Sequence, residues 1–325
     1  VPMKPDTAIH RGDPRRPVAI FIHGLGVNRD FWVNPSDTKV FGGNIPMRVF
    51  AATPPEPCTK VQGGKRLTPG IVPDRINNLW TVVTEKGFNA LCWSQRRPSG
   101  PMDAAVAELQ EVAAAAERLF PGRPIALVGH SRGGLIARKF MERKRPAVKA
   151  LVTIASPHAG SSLSRLGRYL SPVAPLLRAV LPEDTRGAVT RILKNIHELL
   201  GSGALKELLP DSGFIMSLQA RPLRDVLCVS FGGTNPTLLT VYKWKKRDGM
   251  MYPAPLLTIP DSLLRVLPPS VIPEELKPGR GDSMVTAESA VLPCASAHYT
   301  LHANHISITW HRELINKTIE VLERL

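Results

Sequence analysis

The chain has 325 residues, 43% of them hydrophobic and 21% charged, enough to bury a substantial core in one large α/β domain and too apolar for a disordered or fibrous protein. Lys and Arg number 42 against 27 Asp and Glu, a formal net charge of +15 that would attract anionic surfaces such as phospholipid headgroups, acidic polymers or nucleic acid. The arginines are scattered and no nucleic-acid motif accompanies them, so a solvated basic surface and no nucleic-acid partner are expected.

No apolar run reaches the roughly 18 residues of a membrane span, so a soluble chain that can visit an interface is expected. Val1 to Pro17 is polar, with no signal-peptide core. A start at Val rather than Met points to a processed or trimmed chain, which fits a secreted protein. Four cysteines are too few for a disulfide framework. Cys92 and Cys228 lie in strand-like runs and read as small core residues, whereas Cys58 and Cys294 sit beside prolines in loops and could pair.

Pro17 to Gly26 reads as a buried parallel strand ending in His23-Gly24-Leu25. The loop after it lies at the carboxyl edge, where open α/β sheets hold ligands. His23 is expected to pack beneath the turn. Asn28 to Pro73 is rich in Pro, Gly and Asn and reads as an irregular excursion over that edge. Its aromatics, Phe31, Trp32, Phe41 and Phe50, either line an apolar cleft or anchor the loop to the core. Asp74 to Lys86 predicts a helix with Ile76, Leu79, Trp80 and Val83 on one face. Phe88 to Ser94 predicts a strand, and Met102 to Phe120 an Ala-rich helix stopped by Pro121-Gly122.

Ile125 to Phe140 then reads as a strand, a sharp turn and a helix. Gly129-His130-Ser131-Arg132-Gly133 fits G-x-S-x-G, in which the serine rides a strained strand-to-helix turn that lifts its hydroxyl clear of the sheet. Ser131 is therefore the candidate nucleophile. The backbone amides of Leu25 and Arg132 are the candidate oxyanion donors, the second from the free N-terminus of the helix.

Val148 to Ala155 predicts the next strand, ending in Ser156-Pro157-His158-Ala159-Gly160-Ser161. The strand-helix alternation implies a mostly parallel sheet covered on both faces. It breaks from Leu163 to Leu218, where leucines, isoleucines and valines recur at helical spacing between prolines. We expect there a helical cap or lid, residues 161–220, inserted in a single domain spanning 1–325. Asp225 to Phe231 resumes the sheet, and a Pro-rich insertion spans Pro253 to Pro278. Asp282 follows in a glycine-flanked loop suited to accept a hydrogen bond from a histidine. His298, His302 and His305 come next, and a helix from about Thr309 to Leu325 closes the chain.

These motifs resemble the α/β-hydrolase superfamily, and within it the lidded bacterial triacylglycerol lipases. The resemblance rests on His23-Gly24-Leu25, Gly129-His130-Ser131-Arg132-Gly133, Ser156-Pro157-His158-Ala159-Gly160-Ser161, Gly232-Gly233-Thr234-Asn235-Pro236, Gly281-Asp282-Ser283-Met284-Val285 and Asn304-His305, in the family's order. It implies an α/β-hydrolase fold and a Ser131–His305–Asp282 triad that hydrolyses apolar esters through an acyl-enzyme. His302 is the rival base, and Asp248 and Asp261 the rival acids. The rival functions are a carboxylesterase for short soluble esters, a polyester hydrolase, an acyltransferase or amidase, and a non-catalytic binding protein on the same scaffold. No cofactor or metal is expected. The family's calcium aspartate, two positions after the histidine, is replaced by Ser307, and no histidine lies between His23 and His130 to hold a lid zinc. A monomer is expected.

Overall fold

The computed structural model describes residues 6–40, 45–64, 66–143, 145–163, 203–218, 223, 225–265 and 268–325. In chain order the strands are β1 (Thr7–His10), β2 (Val18–Ile22), β3 (Lys39–Val40), β4 (Ile45–Pro46), β5 (Leu67–Thr68), β6 (Asn89–Trp93), β7 (Ile125–His130), β8 (Val148–Ile154), β9 (Leu227–Gly233), β10 (Leu239–Arg247), β11 (Met250–Ile259) and β12 (Ala297–Leu301). The first four helices are α1 (Asp30–Val33), α2 (Leu79–Glu85), α3 (Met102–Leu119) and α4 (Arg132–Phe140).

Seven strands form the central sheet in the order β1-β6-β2-β7-β8-β9-β12. All neighbours are parallel except β1, which runs antiparallel to β6. Every residue of β2, β6 and β7 is buried, as continuous apolar strands covered on both faces must be. One face carries α3 and α4, with Leu109, Val112, Leu135 and Phe140 packed on Ile20, Leu91 and Leu127. The other carries α2 and the last helix (Arg312–Glu323), with Trp80, Val83, Leu314 and Ile319 against Phe21, Cys92 and Val152. Each such side chain, fully buried, contributes about 1.5–3 kcal/mol.

Several expectations shift. Helix α2 begins at Leu79 rather than Asp74, because Asn78 caps it by accepting from the Thr81 amide and spends its own amide on the carbonyls of Phe31 and Trp32. Ser307–Trp310 is a short 3₁₀ turn, so the last helix starts at Arg312. Phe31, Trp32 and Phe50 are buried and anchor the excursion to the core; Phe41 lies outside the described residues.

The Pro-rich stretch after Pro253 begins inside a strand. β10 and β11 pair as an antiparallel hairpin, joined on the other side of β10 by β5. Pro253 and Pro255 are tolerated because β11 is an edge. Cys294 lies beside Cys228, with sulfurs 3.7 Å apart, while Cys58 pairs its backbone with Met251; all four thiols are free. The expected cap falls largely on residues 164–202, outside those described. The adjoining Gly203–Lys206 and Gly213–Ser217 are short helices. No helix among the described residues is long and apolar enough to cross a membrane.

Candidate active site

Ser131 stands between β7 and α4 with φ 55° and ψ −126°, a left-handed strained conformation held by its surroundings. Its amide donates to the Ile154 carbonyl, and its own carbonyl accepts from Gly134. The turn closes only because its neighbours lack side chains. A Cβ on Gly133 would lie 2.3 Å from the Ile22 carbonyl oxygen, and one on Gly129 would lie 2.5 Å from the Gly134 nitrogen. Helix α4 therefore crosses directly over β2, and Gly24 comes within a methyl's reach of the Ser131 Cβ.

Asp282 is wholly buried. Its Oδ1 accepts from the amides of Met284 and Val285, leaving Oδ2 to accept from His305 Nδ1 at 2.9 Å. The His305 amide also donates to the Asp282 carbonyl. Both loops lie at the carboxyl ends of strands β9 and β12. The rivals stand elsewhere: Asp248 and His302 are exposed, and His298 Nδ1 is bonded to the Ser230 hydroxyl.

The His305 segment meets the serine turn through His130. The two imidazoles are 4.8 Å apart, and His130 Nε2 donates to the His305 carbonyl at 2.7 Å. Phe31 stacks on His130 with ring centroids 4.8 Å apart. Burial and the neighbouring His305 hold the His130 pKa well below the usual histidine value, so its ring is neutral, with Nε2 carrying the proton.

A second network ties Arg132 to the strand end that carries Gly24. Arg132 is fully buried. Its guanidinium donates to Gln95 Oε1 at 2.8 Å and to the Gly100 carbonyl. Gln95 in turn donates from Nε2 to the His23 carbonyl and from its amide to His23 Nε2. His23 Nδ1 then donates to the Gly24 carbonyl. Desolvation lowers the Arg132 pKa against the opposing pull of Glu207 and Glu108, and burial presses that of His23 down to about 4. The two residues expected to supply oxyanion amides, Leu25 and Arg132, thus flank one continuous chain of hydrogen bonds.

Glu275 joins the root of the expected cap to the aspartate loop. Its carboxylate accepts from the Ser162 amide and from the Ser161 and Ser162 hydroxyls, and its carbonyl accepts from Ser283. Beside the Leu25 loop opens a cleft of about 490 Å³, lined by Gly26, Asn28, Asp30, Asp37, Lys39 and Pro98 among others.

The mostly parallel strand order has a solved counterpart. The mature form of the lipase BlEst2 from Bacillus licheniformis superposes with a TM-score of 0.54 at 18% identity, covering 97% of each chain. The chain has the α/β-hydrolase fold. The propeptide form of the same lipase matches with a TM-score of 0.53 at 18% identity, over 97% of this chain and 53% of that one. Residues 93–197, which include the Ser131 turn, match the Hydrolase_4 family, described as serine aminopeptidase, S33. No curated protein matches in sequence.

Gln95, His130 and Glu275 were not foreseen as parts of the site. Gln95 has no motif around it. His130 occupies the variable position of G-x-S-x-G, and Glu275 sits within the proline-rich insertion. Only the assembled fold brings them to the rim.

Proposed function

We propose that this protein is an α/β-hydrolase that cleaves carboxylic esters, with Ser131 as nucleophile, His305 as base and then acid, and Asp282 as the group that orients the imidazole. The observation that carries this reading is the 2.9 Å bond between His305 Nδ1 and a wholly buried Asp282. That bond places the proton on Nδ1 and leaves Nε2 free to accept from a serine hydroxyl. Ser131 Oγ attacks the ester carbonyl carbon and His305 takes its proton. The amides of Leu25 and Arg132 receive the oxyanion. His305 then protonates the departing alcohol, and water, deprotonated by the same imidazole, releases the acid from the acyl-serine.

We favour acylglycerols or other apolar esters, on the amphipathic spacing of Leu163 to Leu218. The cleft beside Gly26 supports a second reading. Its walls carry Asn28, Asp30, Asp37 and Lys39 beside Val27 and Pro98, while Phe31, Trp32 and Phe50 are in the core, which suits a short soluble ester. Turnover of a p-nitrophenyl ester series and of emulsified triglyceride, with phosphonate labelling of Ser131, tests both readings. A phosphonate that leaves Ser131 unmodified, with no ester turned over, overturns the proposal.

A further inference from the structure

The β10–β11 hairpin is rooted at the active-site rim. It leaves β9 through Thr234 to Leu238, where the Thr237 carbonyl accepts from the side chain of Asn304, next to His305, and Leu238 and Ile259 close its base. From there β10 runs nine residues, a span of roughly 30 Å.

Its two faces differ. Tyr242 and Trp244 are half-buried and alternate with exposed residues. Lys243, Lys245 and Arg247 share the opposite face with their partners Ala254, Tyr252 and Met250. All three cations are exposed, and Tyr252 is 41% exposed. Leu256, at the bulge in the ladder, is 40% exposed, and Ile71, three residues past β5, is 54% exposed. Thus three of the five large hydrophobic residues most exposed among those described belong to this small sheet or its border. The tip adds exposed Lys246, and its one acid, Asp248, lies 3.3 Å from Arg247.

Cations interleaved with an exposed aromatic ring and aliphatic side chains suit a surface that is anionic at the headgroups and apolar just beneath them. We infer that the outer face of the β10–β11 hairpin is a docking surface for an anionic lipid bilayer, and that docking brings the rim carrying His305 to the interface. Nucleic acid shares the negative charge but offers nothing to Leu256 and Ile71. The surface binds lipid whether or not the proposed ester chemistry is correct, so the two readings can fail separately.

The test is sedimentation of the intact protein with vesicles of phosphatidylcholine, alone or mixed with phosphatidylglycerol, at low and high salt. The wild type is expected to prefer the anionic vesicles and to release as salt rises. Replacing Lys243→Gln, Lys245→Gln and Arg247→Gln together should weaken that partition roughly a hundredfold. Tyr252→Ser with Leu256→Ser should weaken it about tenfold. Both variants should melt as the wild type does and keep its turnover on a soluble ester. Equal partition onto neutral and anionic vesicles, undiminished binding by the triple variant, or a preference for duplex DNA over anionic vesicles at the same salt would overturn the inference. Anionic-lipid binding by a protein that hydrolyses no ester would support this surface and overturn the proposed activity instead.

Discussion

The Arg132 guanidinium donates to the side-chain carbonyl of Gln95 at 2.8 Å, bridging the start of the helix after Ser131 and the loop after β6. Through Gln95 the bridge continues to His23 and the Gly24 carbonyl, next to Leu25. The spacing of the two proposed oxyanion donors is therefore set by side chains that never meet the substrate. Gln95→Ala should lower kcat about tenfold while leaving KM within about twofold, because misplaced donors cost more at the oxyanion than in the ground state. It should also lower stability by about 2–3 kcal/mol, since a buried cation loses an acceptor. Steady-state kinetics and denaturant melts read the two effects.

Asp282→Asn retains the shape of the acid and presents an amide to His305. Either the amide faces His305 Nδ1 and reverses the tautomer, or it turns to confront the donating amides of Met284 and Val285. Both arrangements spoil the base, and ester turnover should fall about 10⁴-fold. Ser131→Ala should fall as far, whereas His302→Ala should keep turnover near wild type. A His305→Ala protein with ordinary turnover would refute the assignment of the base.

The turn also has a steric test. Gly133→Ala places a methyl 2.3 Å from the Ile22 carbonyl oxygen, against backbone that cannot swing aside. A loss of about 3 kcal/mol is expected from the urea midpoint, with activity reduced in whatever protein remains folded. Gly213→Ala, where an added Cβ meets nothing within 4 Å, is the control.

Stability should fall on the acid side. Burial holds His23 down to about 4 and His158 down to about 3, below the usual 6.5. The unfolded chain therefore binds protons that the native state refuses, and stability rises with pH through this window. The contribution is complete above about pH 6.5. It is lost as pH falls, levelling off near pH 4 for His23 and near pH 3 for His158. His23 alone accounts for roughly 3 kcal/mol. Melts between pH 7 and pH 4 should show the decline, and a His23→Gln protein should show a shallower one.

The sheet's interior was readable because β2, β6 and β7 are nearly continuous apolar runs that only burial on both faces explains, and β8 is one after its exposed Lys149. Its margins were not. β1 and β12 are the outer strands, half-buried over most of their length, and mixed composition there reads equally well as loop. The hairpin was obscured by Pro253 and Pro255, which signal irregular chain unless the missing donors are known to face an edge. Ser131 announces itself through its glycines, since the turn imposes a sequence. Gln95 and His130 do not, because a hydrogen bond across more than thirty residues leaves no local pattern.

The Glu275 carboxylate takes the Ser162 amide and the hydroxyls of Ser161 and Ser162 at the foot of the stretch expected to form the cap, while its backbone holds Ser283, next to Asp282. The chain just before Leu163 and the Asp282 loop are thus tethered to each other through a single residue, its carboxylate gripping one and its carbonyl the other, so that a change at Glu275 would slacken both at once.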